Sequence, residues 1–118
     1  MTWFLFIDDL RDPGFPECVS SGVNPNLPWV IARTSSQARA AVEQRGMPTR
    51  MALDHDLGEF SGGQTDEVPK FLGWLAYEYW NGNTRIPDYT IHSANKVGAA
   101  NMKSFMDSWK KSQTIEER

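Results

Sequence analysis

Three apolar runs in this chain stop abruptly at polar, chemically able residues. Trp3-Phe4-Leu5-Phe6-Ile7 runs into Asp8-Asp9-Leu10-Arg11, Met51-Ala52-Leu53 into Asp54-His55-Asp56-Leu57-Gly58, and Tyr89-Thr90-Ile91 into His92-Ser93-Ala94-Asn95. The first run does not alternate, which predicts a strand buried on both faces. Trp29-Val30-Ile31-Ala32 supplies a further strand. The four strands are placed at 3–9, 29–32, 51–55 and 89–92. Thr34-Ser35-Ser36 offers N-cap oxygens for a helix to about Arg45, with Ala38, Ala41 and Val42 facing inward and Gly46 as the stop. Asp66 is read as the cap of a second helix to about Trp80, with Val68, Phe71, Leu72, Leu75 and Tyr79 at helical spacing. Pro69 fits its first turn and Asn81-Gly82-Asn83 its end. A third helix runs from Gly98 to about Lys111, leaving 112–118 as a polar, frayed tail. The stretch from Asp12 to Pro28 reads as a long loop without a helix, and Glu59 to Thr65, containing Gly62-Gly63, as a flexible one.

The order β, loop, β, α, β, α, β, α predicts an α/β domain with a four-stranded, mainly parallel sheet. Right-handed crossovers favour the order 2-1-3-4, a flavodoxin-like three-layer arrangement truncated by one β–α unit. The whole of 1–118 reads as one domain, since this length supports a single core.

Composition narrows the partners. A net charge of −3 argues against non-specific binding to DNA, which needs a basic field, but leaves a nucleotide or an RNA end open as ligand. No apolar run approaches the roughly 20 residues that span a bilayer, so no membrane partner is expected. The N-terminus has no basic leader, so no signal peptide is expected. A single cysteine, Cys18, has no internal disulfide partner, which fits a reducing cytoplasm. With no basic neighbour to activate it, Cys18 is not assigned a catalytic role.

In the predicted topology Asp8 and Asp9 leave the first strand beside Asp54 and Asp56 leaving the third, and neighbouring strands lie about 4.8 Å apart. Carboxylates gathered this closely repel one another unless a cation lies between them. A hard divalent ion, Mg²⁺ or Mn²⁺, is the natural occupant. The metal group is therefore read as Asp9, Asp54 and Asp56, with Asp8 next to it. Asp54 and Asp56 point the same way if the strand persists, with His55 opposite. Single aspartates at strand ends commonly do no more than cap turns; the clustering is what favours a metal. His55 and His92 are the only histidines, both at the same edge, and an imidazole with a pKa of about 6.5 serves as general acid or base near neutrality. A lone histidine is more often structural, but two at one edge favour a functional role for at least one. Ser93 and Asn95 can hold phosphate oxygens, and Gly98 opens a helix whose N–H groups make an anion site. Arg11 can clamp a phosphate with two parallel hydrogen bonds or merely form a surface ion pair. Lys96 adds charge or is simply solvated. No Walker-type loop, serine triad or zinc ligand set is present.

Three segments then resemble one family. Phe6-Ile7-Asp8-Asp9-Leu10-Arg11-Asp12-Pro13, Leu53-Asp54-His55-Asp56-Leu57-Gly58 and His92-Ser93-Ala94-Asn95, followed by Gly98 and Asn101-Met102, are similar to the cyclic-phosphate-processing receiver-like domains of bacteria and phages. These are relatives of response-regulator receivers. The resemblance implies a receiver-like fold, with Asp8 and Asp9 as the acidic pair that holds Mg²⁺ and Asp54 at the phospho-accepting position. It places Asp56 where a backbone carbonyl helps bind the metal, and Ser93 at the phosphoryl-contacting hydroxyl. The receiver's strand-five lysine has no counterpart, and His55 and His92 are additions that a phosphorylation switch does not need. The implied activity is a metal-dependent phosphoesterase acting on a cyclic phosphate of a nucleotide or RNA end, in the cytoplasm of a bacterial or phage-infected cell. Asp54, His55 and His92 would be catalytic, with Arg11, Ser93, Asn95 and Gly98 holding the phosphate. Two alternatives use the same residues: a module that sequesters a cyclic nucleotide unchanged, and a degenerate receiver phosphorylated on Asp54.

Overall fold

A computed structural model describes residues 2–60, 64–79 and 85–116. The elements run β1 (Phe4–Ile7), α1 (Pro16–Ser20), β2 (Trp29–Ala32), α2 (Ser35–Arg45), β3 (Arg50–Leu53), β4 (Asp56–Phe60), β5 (Gln64–Glu67), α3 (Val68–Tyr79), β6 (Asp88–Ile91) and α4 (Lys96–Glu116). Four strands form a parallel sheet in the order β2-β1-β3-β6, the predicted order with β6 as the fourth sheet strand. The two central strands are the ones buried along almost their whole length, as parallel strands covered on both faces must be.

Alternation along these strands divides the core. Leu5, Ile7, Met51 and Leu53 join Ala38 and Val42 of α2, Phe71, Leu72 and Leu75 of α3, and Met102, Met106 and Trp109 of α4 in one large cluster. Phe6 and Ala52 join Cys18 of α1 and Val23 in a smaller one. The short α1 is the helix behind that second cluster. It lies in the stretch read from sequence as unbroken loop. Its 5 residues are too few for a helical period to be visible.

The helix signals were mostly local and correct. Thr34 Oγ1 accepts from Gln37 N at 3.0 Å, Gln37 Oε1 accepts from Arg33 N at 2.7 Å, and Gly46 takes a φ of 83° at the C-terminus of α2. Thr34 is thus the N-cap, Gln37 reaches back to the residue before it, and a glycine with positive φ closes the helix. In α3 the residues predicted to face inward are buried, with Tyr79 partly so; Trp80 and Asn81–Asn83 lie outside the described residues.

Other boundaries needed correction. The strands end at Ile7, Leu53 and Ile91, before the polar residues read as their last positions. The segment read as a flexible loop over 59–65 belongs to an antiparallel hairpin, β4 with β5, in which Asp56 pairs with Glu67 and Phe60 with Gln64; residues 61–63 lie outside the described residues. Asp66 does not cap α3. It sits in β5, buried, and accepts from Ser35 N at 2.8 Å and Ser35 Oγ at 2.6 Å, so that it ties the hairpin to the start of α2. Finally, α4 begins at Lys96 rather than at Gly98 and continues through Glu116, so most of the expected frayed tail is helix.

Candidate functional site

Register creates the site. Ile7 pairs with Ala32 and with Leu53, and Leu53 pairs with Ile91, so the strands finish level. The ladder continues for one more residue: Asp8 N donates to Ala32 O, Asp54 N to Ile7 O and His92 N to Leu53 O. The carboxyl edge of the sheet therefore delivers Asp8, Asp54 and His92 at one height, and the following residues turn over it. They border a cleft of about 280 Å³, with Asp8, Asp9, Arg11, Asp54 and Asp56 contributing charge and Ser93 and Asn95 neutral polar groups.

Asp8 is fully buried, and both its oxygens are engaged. Oδ1 accepts from Leu10 N at 2.9 Å and Arg11 N at 2.8 Å; Oδ2 lies 2.8 Å from Arg11 Nε and 3.1 Å from His92 Nε2. Burial works against its charge. The His92 hydrogen bond, the two backbone N–H groups and the Arg11 charge together outweigh it and hold the carboxyl well below the usual carboxylate range. Asp54 has the opposite balance. Burial pushes it up, helped by the Asp8 charge, against the His55 N–H bonded to its Oδ1 at 2.8 Å and the charges of Arg11 and His92. Arg11 reaches both acids, its Nη2 lying 3.4 Å from Asp54 Oδ1. Arg33 holds the loop from the next strand end, through Nη1 to Asp8 O and Arg11 O and Nη2 to Asp12.

One oxygen from each of Asp8, Asp9 and Asp54 lies within 4.8 Å of the others. Three carboxylates at this spacing suit a hard cation. With Asp8 taken up by its four donors, Asp9 and the Oδ2 of Asp54, both on residues that border the cleft, are without a hydrogen bond among the described residues. Asp9 is also closely framed: Gly58 has a φ of 75°, and a Cβ there would lie 3.1 Å from Asp9 Oδ2.

Four expected placements are corrected. Asp56 does not align with Asp54, because β3 stops at Leu53 and Asp56 opens the hairpin instead. Its side chain is 62% exposed, lies 2.8 Å from His55 Nδ1, and groups with His55 and Glu67 rather than with the other aspartates. His92 does not face the cleft: its ring stacks on Phe6 at 5.0 Å and is buried behind Asp8. His55 is likewise packed away from the opening, against Gly98, where a Cβ would overlap its ring. Gly98 offers no anion site, since its N–H donates to Asn95 Oδ1 at 2.9 Å, making Asn95 the cap of α4. The glycine is needed for the close approach of His55.

Ser93 and Asn95 reach the cleft as expected. Ser93 Oγ accepts from Asn95 N at 3.0 Å, which leaves its hydroxyl hydrogen able to donate. Lys96 begins α4 and is not among the residues bordering the cleft. Cys18 is buried beside Asp8 and His92 with its thiol pushed up chiefly by burial, in keeping with an inert role. Sequence reasoning missed Arg33 and Glu67. The signal for Arg33 was its place one residue beyond β2; Glu67 had none, because only the hairpin brings it to His55.

A protein-family model described as the cyclic-phosphate processing receiver domain matches residues 3–108, which include every strand and the first half of α4. No curated protein and no solved structure matches the chain.

Proposed function

The chain belongs to the cyclic-phosphate processing receiver family, and from that membership we propose that it hydrolyses a cyclic phosphate on a nucleotide or RNA end with the help of a divalent cation. The observation that carries the reading is the convergence of Asp8, Asp9 and Asp54 at a cleft whose one guanidinium already serves two of them. An anionic phosphate is repelled by such a wall unless a cation is added. Asp9 and Asp54 would hold Mg²⁺ or Mn²⁺, with Asp8 as a buried support that orients Arg11 and Asp56 further along the wall. The ion, when bound, supplies charge neutralisation and Lewis acidity towards phosphoryl oxygen.

The chain's own groups divide the remaining work. Ser93 donates its hydroxyl hydrogen to a phosphoryl oxygen, and Asn95, with its Oδ1 committed to Gly98, offers Nδ2 in exchange for its long 3.5 Å contacts with His55 Nδ1 and Asp56 Oδ2. Asp56 is the exposed carboxylate at the cleft able to take a proton from the attacking water, with His55 Nδ1 hydrogen-bonded behind it. The water oxygen bonds to phosphorus as the P–O bond to one ring oxygen breaks; Asp56 holds the water's proton until it returns to solvent, and the released ring oxygen takes a proton from solvent to become a hydroxyl. His92 acts through Asp8 and is a positioning residue.

The test is incubation with 2′,3′-cyclic nucleotides, cyclic-phosphate-ended RNA and cyclic dinucleotides, in Mg²⁺, Mn²⁺ or EDTA, read by mass spectrometry. The expected result is gain of one water by one class, abolished by EDTA and by Asp54→Asn. Turnover undiminished in both conditions would remove the proposal. Withdrawal of both imidazoles from the cleft favours a second reading, a module that binds such a ligand unchanged. Its signature is a retained, chemically intact nucleotide.

A further inference from the structure

Arg11 already occupies part of the acidic site as a cation. Its backbone N–H and its Nε both bind Asp8, at 2.8 Å each, so that a three-residue turn fixes the side chain at its base. Its outer nitrogen Nη2 meets Asp54 Oδ1 at the longer distance of 3.4 Å. The inner contact is therefore firm and the outer one loose. Arg11 is still partly open to the cleft, its side chain 21% exposed, while Asp8 beneath it is sealed and further anchored by His92. A divalent ion on Asp54 and the Arg11 Nη2 beside Asp54 Oδ1 are two positive charges competing for one carboxylate.

We infer that Arg11 is a built-in counter-cation that yields Asp54 to the divalent ion and, once released, turns its outer nitrogens to the phosphate, so that ion and phosphate bind cooperatively through one side chain. This rests on the metal-dependent reading above and adds the order within it. Held by Asp8 through Nε, the guanidinium keeps a hinge and moves only its outer end. Without the ion the cleft is partly neutralised yet hostile to anions; with it, both the ion and the released fork favour phosphate. Coupling of this kind is reciprocal, so phosphate strengthens ion binding by the same factor as the ion strengthens phosphate binding.

The test is calorimetric titration of wild type, Arg11→Met and Arg11→Lys with Mn²⁺ alone and then with inorganic phosphate. Wild type is expected to bind Mn²⁺, and Arg11→Met to bind it on the order of tenfold more tightly because the competitor is gone. The same variant keeps only the ion's own share of the Mn²⁺-dependent gain in phosphate affinity, a smaller gain than in wild type; an equal gain overturns the inference. Arg11→Lys, which retains the charge, binds Mn²⁺ within about threefold of wild type. Equal or weaker Mn²⁺ binding by Arg11→Met overturns the inference while leaving the metal-dependent reading intact. Failure of wild type to bind any divalent ion overturns both. If Arg11→Met does not fold, NMR of the Arg11 Nη–H groups in the wild-type protein during Mg²⁺ titration decides: shifted resonances are expected, and resonances unmoved at saturation overturn the inference.

Discussion

Asp8 leaves β1 into a position without solvent exposure, where a lone carboxylate would be neutralised rather than stay charged. It stays charged because four donors surround it, and its proton affinity falls below that of the unfolded chain. The carboxylate form therefore contributes stability above roughly pH 4, and that contribution is lost as pH falls through the lower native value. Asp54, pushed up, acts in the opposite direction: it favours the fold as pH drops from its raised value towards roughly 4. Asp8→Asn is expected to flatten the loss of melting temperature between roughly pH 4 and pH 2. Equal slopes in variant and wild type would assign the acid transition to other groups. The acidic residue types at these strand ends were legible in sequence, and so was their chemistry. Which oxygens were already taken was not, because His92 reaches Asp8 across 84 positions of chain.

At the scale of elements, α2 follows from an N-cap and a glycine stop and α3 from a 3.6-residue apolar period, all short-range rules. The β4–β5 hairpin obeys none that sequence displays. Its strands, DLGEF and QTDE, are polar and lack an alternating apolar face, so they read as loop until antiparallel pairing satisfies their backbone. Asp66 fixes the hairpin by accepting two hydrogen bonds from Ser35 at the start of α2. Removing the carboxylate takes the partner from the Ser35 and Glu67 backbone N–H groups and the Ser35 hydroxyl, so Asp66→Ala is expected to cost about 1–3 kcal/mol in urea denaturation. A cost below about 0.5 kcal/mol, the scale of an ordinary surface change, would show that the hairpin is held by other contacts.

Over the whole molecule, one large cluster joins the sheet to α2, α3 and α4, and Trp109 is the largest fully buried side chain in it. α4 also carries the Asn95 cap and the Gly98 contact with His55 at its N-terminal end, so core and site share one element. Trp109→Ala is expected to cost about 3–5 kcal/mol, a large part of the 5–15 kcal/mol typical of a domain. Urea titration followed by far-UV circular dichroism checks this; a cost near 1 kcal/mol would mean that α4 is not docked as described. Sequence by itself determined where the four strands of the parallel sheet lie, their order and the edge at which the chemistry gathers, because apolar runs, caps and right-handed crossovers are rules about neighbours. Only the tertiary structure decided that Asp56 parts from Asp54, that both histidines turn away from the cleft, and that Arg11 stands between Asp8 and Asp54. The reason is physical: burial and competition for hydrogen bonds depend on residues far apart in the chain, and no local pattern records which partner a buried charge finds.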